Sequence, residues 1–222
     1  MIPLKDSQPS YSTPYVTISL IVLNTLVFFY EVTLDRFSLN YLIESYGVVP
    51  GSLQPWSLLT SMFLHGGWLH LIGNMWFLWI FGDNVEDILG RGKYLLFYLL
   101  CGVAAGLVHI AFNSGSRLPT VGASGAIAGV MGAYMVKFPH SRVVTLVPIF
   151  FFLTTMEIPA VVILAYWFVI QFFSGAWSVG YSHLSQGGVA WFAHVGGFLA
   201  GSLLIYALRP RERFQKHSEL HW

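Results

Sequence analysis

The chain reads as long apolar runs broken by short polar stretches. The runs cover residues 15–32, 68–81, 94–112, 124–138, 159–173 and 189–208. A helix needs about 20 mainly apolar residues, with a range of roughly 17 to 25, to cross the hydrocarbon of a bilayer. The second, fourth and fifth runs are short by that rule, and the second can extend through Asp87. The pattern predicts an all-α integral membrane protein, a six-transmembrane-helix bundle. Residues 143–173 are too many for one upright span and include Pro148 and Pro159, so their first part is expected to lie at an interface. Residues 33–67 are long for a connection and partly apolar through Tyr41, Leu42, Ile43, Val48 and Val49. They are expected to hug the membrane.

Composition agrees. Of the 222 residues, 55% are hydrophobic and 9% charged. A soluble domain carries about 25% charged residues. The lipid bilayer is therefore the expected surrounding. A net charge of +1 gives no case for nucleic acid. The one cysteine, Cys101, rules out an internal disulfide and reads as a packed side chain. The length fits one domain, residues 1–222, with a core at 14–208 and short tails at 1–13 and 209–222. No internal repeat or low-complexity tract divides it. The first run has no small-residue cleavage site after it and is expected to stay as a span.

The basic residues give the orientation. With six spans, one side collects Lys5, Arg91, Lys93, Lys137, Arg142, Arg209, Arg211, Arg213 and Lys216, and the other has only Arg36 and Arg117. Cytoplasmic segments are enriched in Lys and Arg, so both termini are expected to be cytoplasmic.

Polar groups at membrane depth are costly and are functional candidates by default. Four stand out: His70, Asn74, Ser124 and His194. At about 1.5 Å per helical residue, Ser124, His194 and His70 all lie roughly 20 Å above the cytoplasmic face, with Asn74 one turn lower. In hydrocarbon about 30 Å thick, that is a single level roughly 10 Å below the outer surface. The preceding residues 115–121 do not read as helix. The serine-bearing helix therefore starts near Ser124, short of the outer face. Irregular backbone at that depth survives only against protein or a water-filled cavity, so the site is expected to be wet from outside. The helix start also offers unpaired N–H groups suited to an oxyanion.

Glycines predict how the helices meet. Gly125, Gly129 and Gly132 form one stripe, with Ala128 beside it. His194, Gly197 and Gly201 lie at i, i+3 and i+7. Small residues let membrane helices pack backbone to backbone. The Gly125–Gly129 stripe is expected against Gly197 and Gly201, bringing His194 toward Ser124. A serine hydroxyl needs an adjacent base, and a neutral imidazole can serve. No acidic residue shares this depth on these helices, so a Ser124–His194 dyad is expected. His70 and Asn74, at i and i+4 on one face, can join the Ser124 N–H in an oxyanion hole.

These residues resemble the rhomboid family of intramembrane proteases. Leu64-His65-Gly66-Gly67-Trp68-Leu69-His70-Leu71-Ile72-Gly73-Asn74-Met75 resembles the family's H-x-x-x-N helix. Gly82-Asp83-Asn84-Val85-Glu86-Asp87 resembles the stretch after it. Gly122-Ala123-Ser124-Gly125-Ala126 resembles G-x-S-G. Ala193-His194-Val195-Gly196-Gly197-Phe198-Leu199-Ala200-Gly201 resembles A-H-x-x-G-x-x-x-G. Order and spacing agree from about Pro14 to Leu208. The resemblance implies Ser124 as nucleophile, His194 as base, and His70, Asn74 and the Ser124 N–H around the oxyanion. It implies that segment 33–67 is partly embedded in the outer leaflet. The fifth helix and residues 174–188 would be gate and cap. Substrates would be single-pass membrane proteins cut in or beside their spans, in a bacterial or archaeal cell membrane, with no cofactor and no metal.

Two positions depart from the family pattern. Many members carry Trp-Arg where this chain has Trp56-Ser57. Several carry an aromatic residue where it has Ala128; Trp191 or Phe192 is expected to substitute, or His194 is held less firmly. His65 and His109 are expected to be structural, Glu31 and Glu157 to sit near span ends, and Gln171 to bond between helices. There is no H-E-x-x-H, no pair of intramembrane aspartates and no G-x-S-x-G. The alternatives are an inactive rhomboid-like protein that binds membrane helices, and a small transporter. Retention of Ser124 and His194 argues against the first, and the lack of two related halves against the second.

Overall fold

Eleven elements make up the fold in a computed structural model that describes residues 2–149, 152–180, 190–208 and 210. They are β1 (Ile2–Asp6), α1 (Tyr15–Thr33), α2 (Arg36–Tyr46), α3 (Ser57–Thr60), α4 (Trp68–Leu89), α5 (Arg91–Phe112), α6 (Ser124–Lys137), β2 (Arg142–Ile149), β3 (Phe152–Pro159), α7 (Ala160–Gly180) and α8 (Trp191–Ala207). Two 3₁₀ turns, Pro50–Ser52 and Ser61–Phe63, flank α3.

α6 is the axis of the bundle. Every residue from Gly125 to Tyr134 is buried, enclosed by α8, α5, α4 and α7. Glycine makes this possible. A Cβ on Gly197 would collide with the Gly125 carbonyl, and one on Gly201 with the backbone of Gly129. The wall around α6 holds Phe81, Tyr94, Phe97, Tyr98 and Cys101, all fully buried. Outward faces are apolar instead of charged, with Leu26, Leu69, Phe112 and Leu203 all exposed. Such surface is stable in lipid and a liability in water.

Among the described residues, α1 and α5 are long and apolar enough to cross a membrane, while Ala160–Phe173 and Trp191–Ala207 are shorter apolar helices. α4 runs past Phe81 to Leu89 and carries Asp83, Glu86 and Asp87 in its last turns. These carboxylates explain how α1 begins. Its N-cap, Pro14, offers no side-chain acceptor. Glu86 supplies one from α4, accepting from the N–H groups of Val16 at 2.9 Å and Thr17 at 2.8 Å and from the Thr17 hydroxyl. A carboxylate there satisfies orphan donors and meets the positive end of the helix dipole. Gly90, at φ +75°, then reverses the chain directly into α5.

Two expectations need correction. The protein is mainly helical but not all-α: residues 2–6 are no free tail, and residues 142–149 and 152–159 are extended. They form an antiparallel sheet in the order β1-β2-β3. Ile2 pairs with Leu146 and Asp6 with Val143, with a bulge between Pro3 and Lys5. The β-branched run in β2 favours extended backbone. Its partner β1 is some 140 residues away, so a reading of local runs could not pair them. The Trp76 indole donates to the Pro3 carbonyl at 2.7 Å and the Tyr134 hydroxyl to Asp6, tying β1 to α4 and α6. The ion pair Arg142–Glu157, at 3.9 Å and exposed, adds about 0–1 kcal/mol. The first part of the expected cap, residues 174–180, is helix. Residues 181–188, Arg209 and the expected tail at 211–222 lie outside the described residues.

Candidate active site

The site forms where α6 begins. Gly122 precedes it at φ +128°, a conformation that L side chains rarely adopt. Its N–H donates to the Ser61 carbonyl at 2.9 Å. Val48 and Thr120 exchange backbone bonds, and the Gly51 N–H donates to Ser116. Part of the irregular backbone at 113–123 is thus bonded to other protein groups. His109 of α5 braces the same segment, its Nε2 lying 2.9 Å from the Thr120 hydroxyl.

The membrane-hugging segment contains α2, capped by Asp35, whose carboxylate accepts from the N–H groups of Phe37 and Ser38. Where an arginine was absent, Ser57 is buried and its hydroxyl donates to the Gln54 carbonyl at 2.7 Å. The neighbouring Trp56 indole donates to Ser45, and the Thr60 hydroxyl to Tyr46. These bonds tie the segment to the end of α2.

Ser124 and His194 face each other. His194 Nε2 lies 2.8 Å from Ser124 Oγ, across the glycine-lined contact of α6 and α8. Ser124 is half-buried and His194 is 8% exposed. His70 and Asn74 lie across from the same helix start. A methyl on Gly122 would sit 2.6 Å from His70 Nε2 and 3.6 Å from Asn74 Nδ2. The Gly66 N–H approaches His70 Nδ1 at 3.3 Å, so Nδ1 accepts and Nε2 carries the proton, pointing at the loop before Ser124. Asn74 Nδ2 is buried with no partner. Leaving a buried donor unmade costs about 1–3 kcal/mol, and such an orphan is suited to a charge that appears only during reaction. All four candidate polar residues therefore border one small region.

The sequence did not place two groups at the site. Gln171 was expected only to link helices. Its Oε1 lies 2.6 Å from His194 Nδ1, and the residue is 7% exposed. The only local signal was a polar residue in the middle of an apolar run. Trp167, one turn earlier on α7, sets its ring 5.7 Å from the imidazole at a 37° tilt. Trp191 approaches edge-on at 6.3 Å, whereas Phe192 stacks on Phe112. The imidazole is thus flanked by indoles where Ala128 offers no ring.

His65 lies in the connecting segment before α4. Its backbone N–H donates to both oxygens of Glu31 at 3.2 Å, and its ring packs against His70 and Phe28. Burial first, and then the neighbouring His70, push its pKa down to about 4. The folded state thus prefers the neutral ring. This contribution to stability is complete above about pH 6.5 and is lost as pH falls from there toward 4. His65→Phe is expected to remove that decline from the pH dependence of thermal melts in detergent. An unchanged slope would remove His65 from the explanation.

Among the described residues no group of three His, Cys, Asp or Glu side chains is placed to hold a metal. What remains is a hydroxyl–imidazole pair where α6 and α8 meet in a glycine-packed helical bundle. The family model of the Rhomboid domain matches residues 52–211. The chain belongs to the rhomboid family and is a membrane protein.

Its relatives include Rhomboid protein 1, mitochondrial, of Saccharomyces cerevisiae, 28% identical over 83% of this chain and 50% of that protein. RHOMBOID-like protein 6, mitochondrial, of Arabidopsis thaliana is 32% identical over 78% of this chain and 51% of that protein. Rhomboid protease GluP of Bacillus subtilis is 35% identical over 55% of this chain and 24% of its own length. The chain thus spans about half the length of the yeast and plant relatives. Their mitochondrial names give no support to the expected bacterial or archaeal cell membrane.

Proposed function

We propose that this chain is an intramembrane serine endopeptidase acting through a Ser124–His194 dyad on single-pass membrane proteins, within or next to their spans. The observation that carries the reading is the 2.8 Å contact between Ser124 Oγ and His194 Nε2, beside the orphaned amide of Asn74. Six spans, α1, α4, α5, α6, α7 and α8, would place both termini in the cytoplasm and open the site toward the outer side. The described basic residues Lys5, Arg91, Lys93, Lys137 and Arg142 favour that orientation.

In this reading Ser124 Oγ attacks the scissile carbonyl carbon as its proton passes to His194 Nε2. The carbonyl electron pair moves onto oxygen. The oxyanion is held by the Ser124 N–H, His70 Nε2–H and Asn74 Nδ2–H. Collapse breaks the C–N bond, and Nε2 gives its proton to the departing amine. Water, deprotonated by His194, then attacks the acyl carbon and releases Ser124. The half-buried position of Ser124 and the irregular backbone before it suit the delivery of that water.

The test is reaction of the detergent-solubilised protein with a fluorophosphonate probe. Wild-type protein is expected to be labelled and Ser124→Ala to be blank. Labelling that survives the substitution would overturn the assignment.

A further inference from the structure

An imidazole can serve as base toward Ser124 only if Nε2 is unprotonated, which requires the proton on Nδ1. Nothing on α6 or α8 was seen in the sequence to enforce that tautomer. In serine proteases with a third residue, a carboxylate does so. At membrane depth an unpaired carboxylate is expensive, whereas a neutral amide oxygen is not.

We propose that Gln171 is a positioning residue of the dyad, its side-chain carbonyl accepting the Nδ1 proton of His194 and so turning the Nε2 lone pair toward Ser124. The inference rests on the serine-protease reading above and deepens it. The geometry forms one line: Gln171 Oε1 to Nδ1 at 2.6 Å, and Nε2 to Ser124 Oγ at 2.8 Å. Gln171 and His194 are both buried, so water is a poor substitute for the amide. Trp167 contacts the imidazole from the same helix and packs against Phe198 at 6.2 Å, as does Phe168 at 4.8 Å. The ring is thus placed by α7 on one side and by the glycine contact of α6 with α8 on the other. Gln171 touches no reacting atom. It acts through His194, and the general base depends on a helix that carries neither member of the dyad.

The experiment compares wild-type, Gln171→Met and Gln171→Glu proteins in detergent. Met fills a similar volume but offers no comparable acceptor; Glu keeps the shape and the acceptor. Four readouts are taken: kcat and KM on a membrane-spanning reporter, the fluorophosphonate labelling rate, the melting temperature, and ¹⁵N shifts of the histidine rings, with His194→Ala identifying the His194 signals. In Gln171→Met, kcat and labelling rate are expected to fall about 10- to 100-fold, as for a lost buried hydrogen bond. KM stays within about twofold, and the His194 signals change from a single Nδ1–H tautomer to a mixture. Gln171→Glu recovers most of the rate at a pH where it is ionised.

Wild-type kcat and tautomer in Gln171→Met would overturn the proposal. So would equal losses in Gln171→Met and Gln171→Glu with the tautomer unchanged, since packing alone would then account for the residue. If Gln171→Met fails to fold, the wild-type His194 tautomer decides the matter: an Nδ1–H ring supports the proposal and an Nε2–H ring overturns it. Labelling at the wild-type rate in Gln171→Met while Ser124→Ala stays blank defeats this inference and spares the dyad. Labelling in Ser124→Ala defeats the protease reading itself.

Discussion

Ser124→Ala and His194→Ala are each expected to lower cleavage of a membrane-spanning reporter by at least about 10⁴-fold, with the double variant no worse than either alone. In the proposed mechanism nucleophile and base act as one unit across 2.8 Å, so removing either leaves only positioning and oxyanion stabilisation. Neither substitution should unfold the protein. Ser124 is half-buried at a helix start, and His194 is held by contacts that extend well beyond its ring. Melting temperature and helicity are measured beside the cleavage rate to separate lost chemistry from lost fold. A folded His194→Ala protein that cleaves at the wild-type rate would remove the imidazole from the mechanism. Losses that multiply in the double variant would mean that the two residues work independently.

Gly201→Leu is expected to destabilise the bundle and to reduce activity by about 100-fold or more. A Cβ at this position would collide with Gly129 O, C and Cα, which are backbone atoms and have no rotamer into which to retreat. Overpacking typically costs about 1–3 kcal/mol, and contact with backbone points to the upper end. The helices must separate, which carries His194 away from Ser124. A displacement near 1 Å can cost about 100-fold in rate. Gly73→Ala is the control. A Cβ there meets nothing within 4 Å, so the change should be neutral or slightly stabilising through helix propensity. The measurements are thermal melts in detergent and reporter cleavage for both variants. Equal behaviour of the two would show that the glycine contact is not what sets the distance between α6 and α8.

Much of the bundle was legible because its helices are encoded locally. Each apolar run announces its own helix, and ends such as Ser124 for α6 and Thr33 for α1 fall within a residue or two of the expected boundaries. Glycine spacing on α6 and α8 is local too, and the structure brings Gly125 and Gly129 against Gly197 and Gly201. Glu86 was less legible. It stood in a motif whose purpose no pattern revealed, because the helix start that it caps lies about 70 residues earlier. Glu31, expected near a span end, is buried and bonded to His65, some 34 residues on. Gln171 was visible as an oddity in its run, but not as the partner of an imidazole 23 residues away.

The sequence by itself determined the solvent, the helices and the short set of candidate polar residues. Composition and periodicity are sums over neighbours and need no knowledge of the fold. Only the tertiary structure decided that β1 closes a sheet with β2 and that α7 supplies Gln171 and Trp167 to the ring of His194. Strand pairing and side-chain bonds between helices join residues far apart along the chain. Their partners are chosen when the glycine-lined helices pack, and by no pattern within either segment.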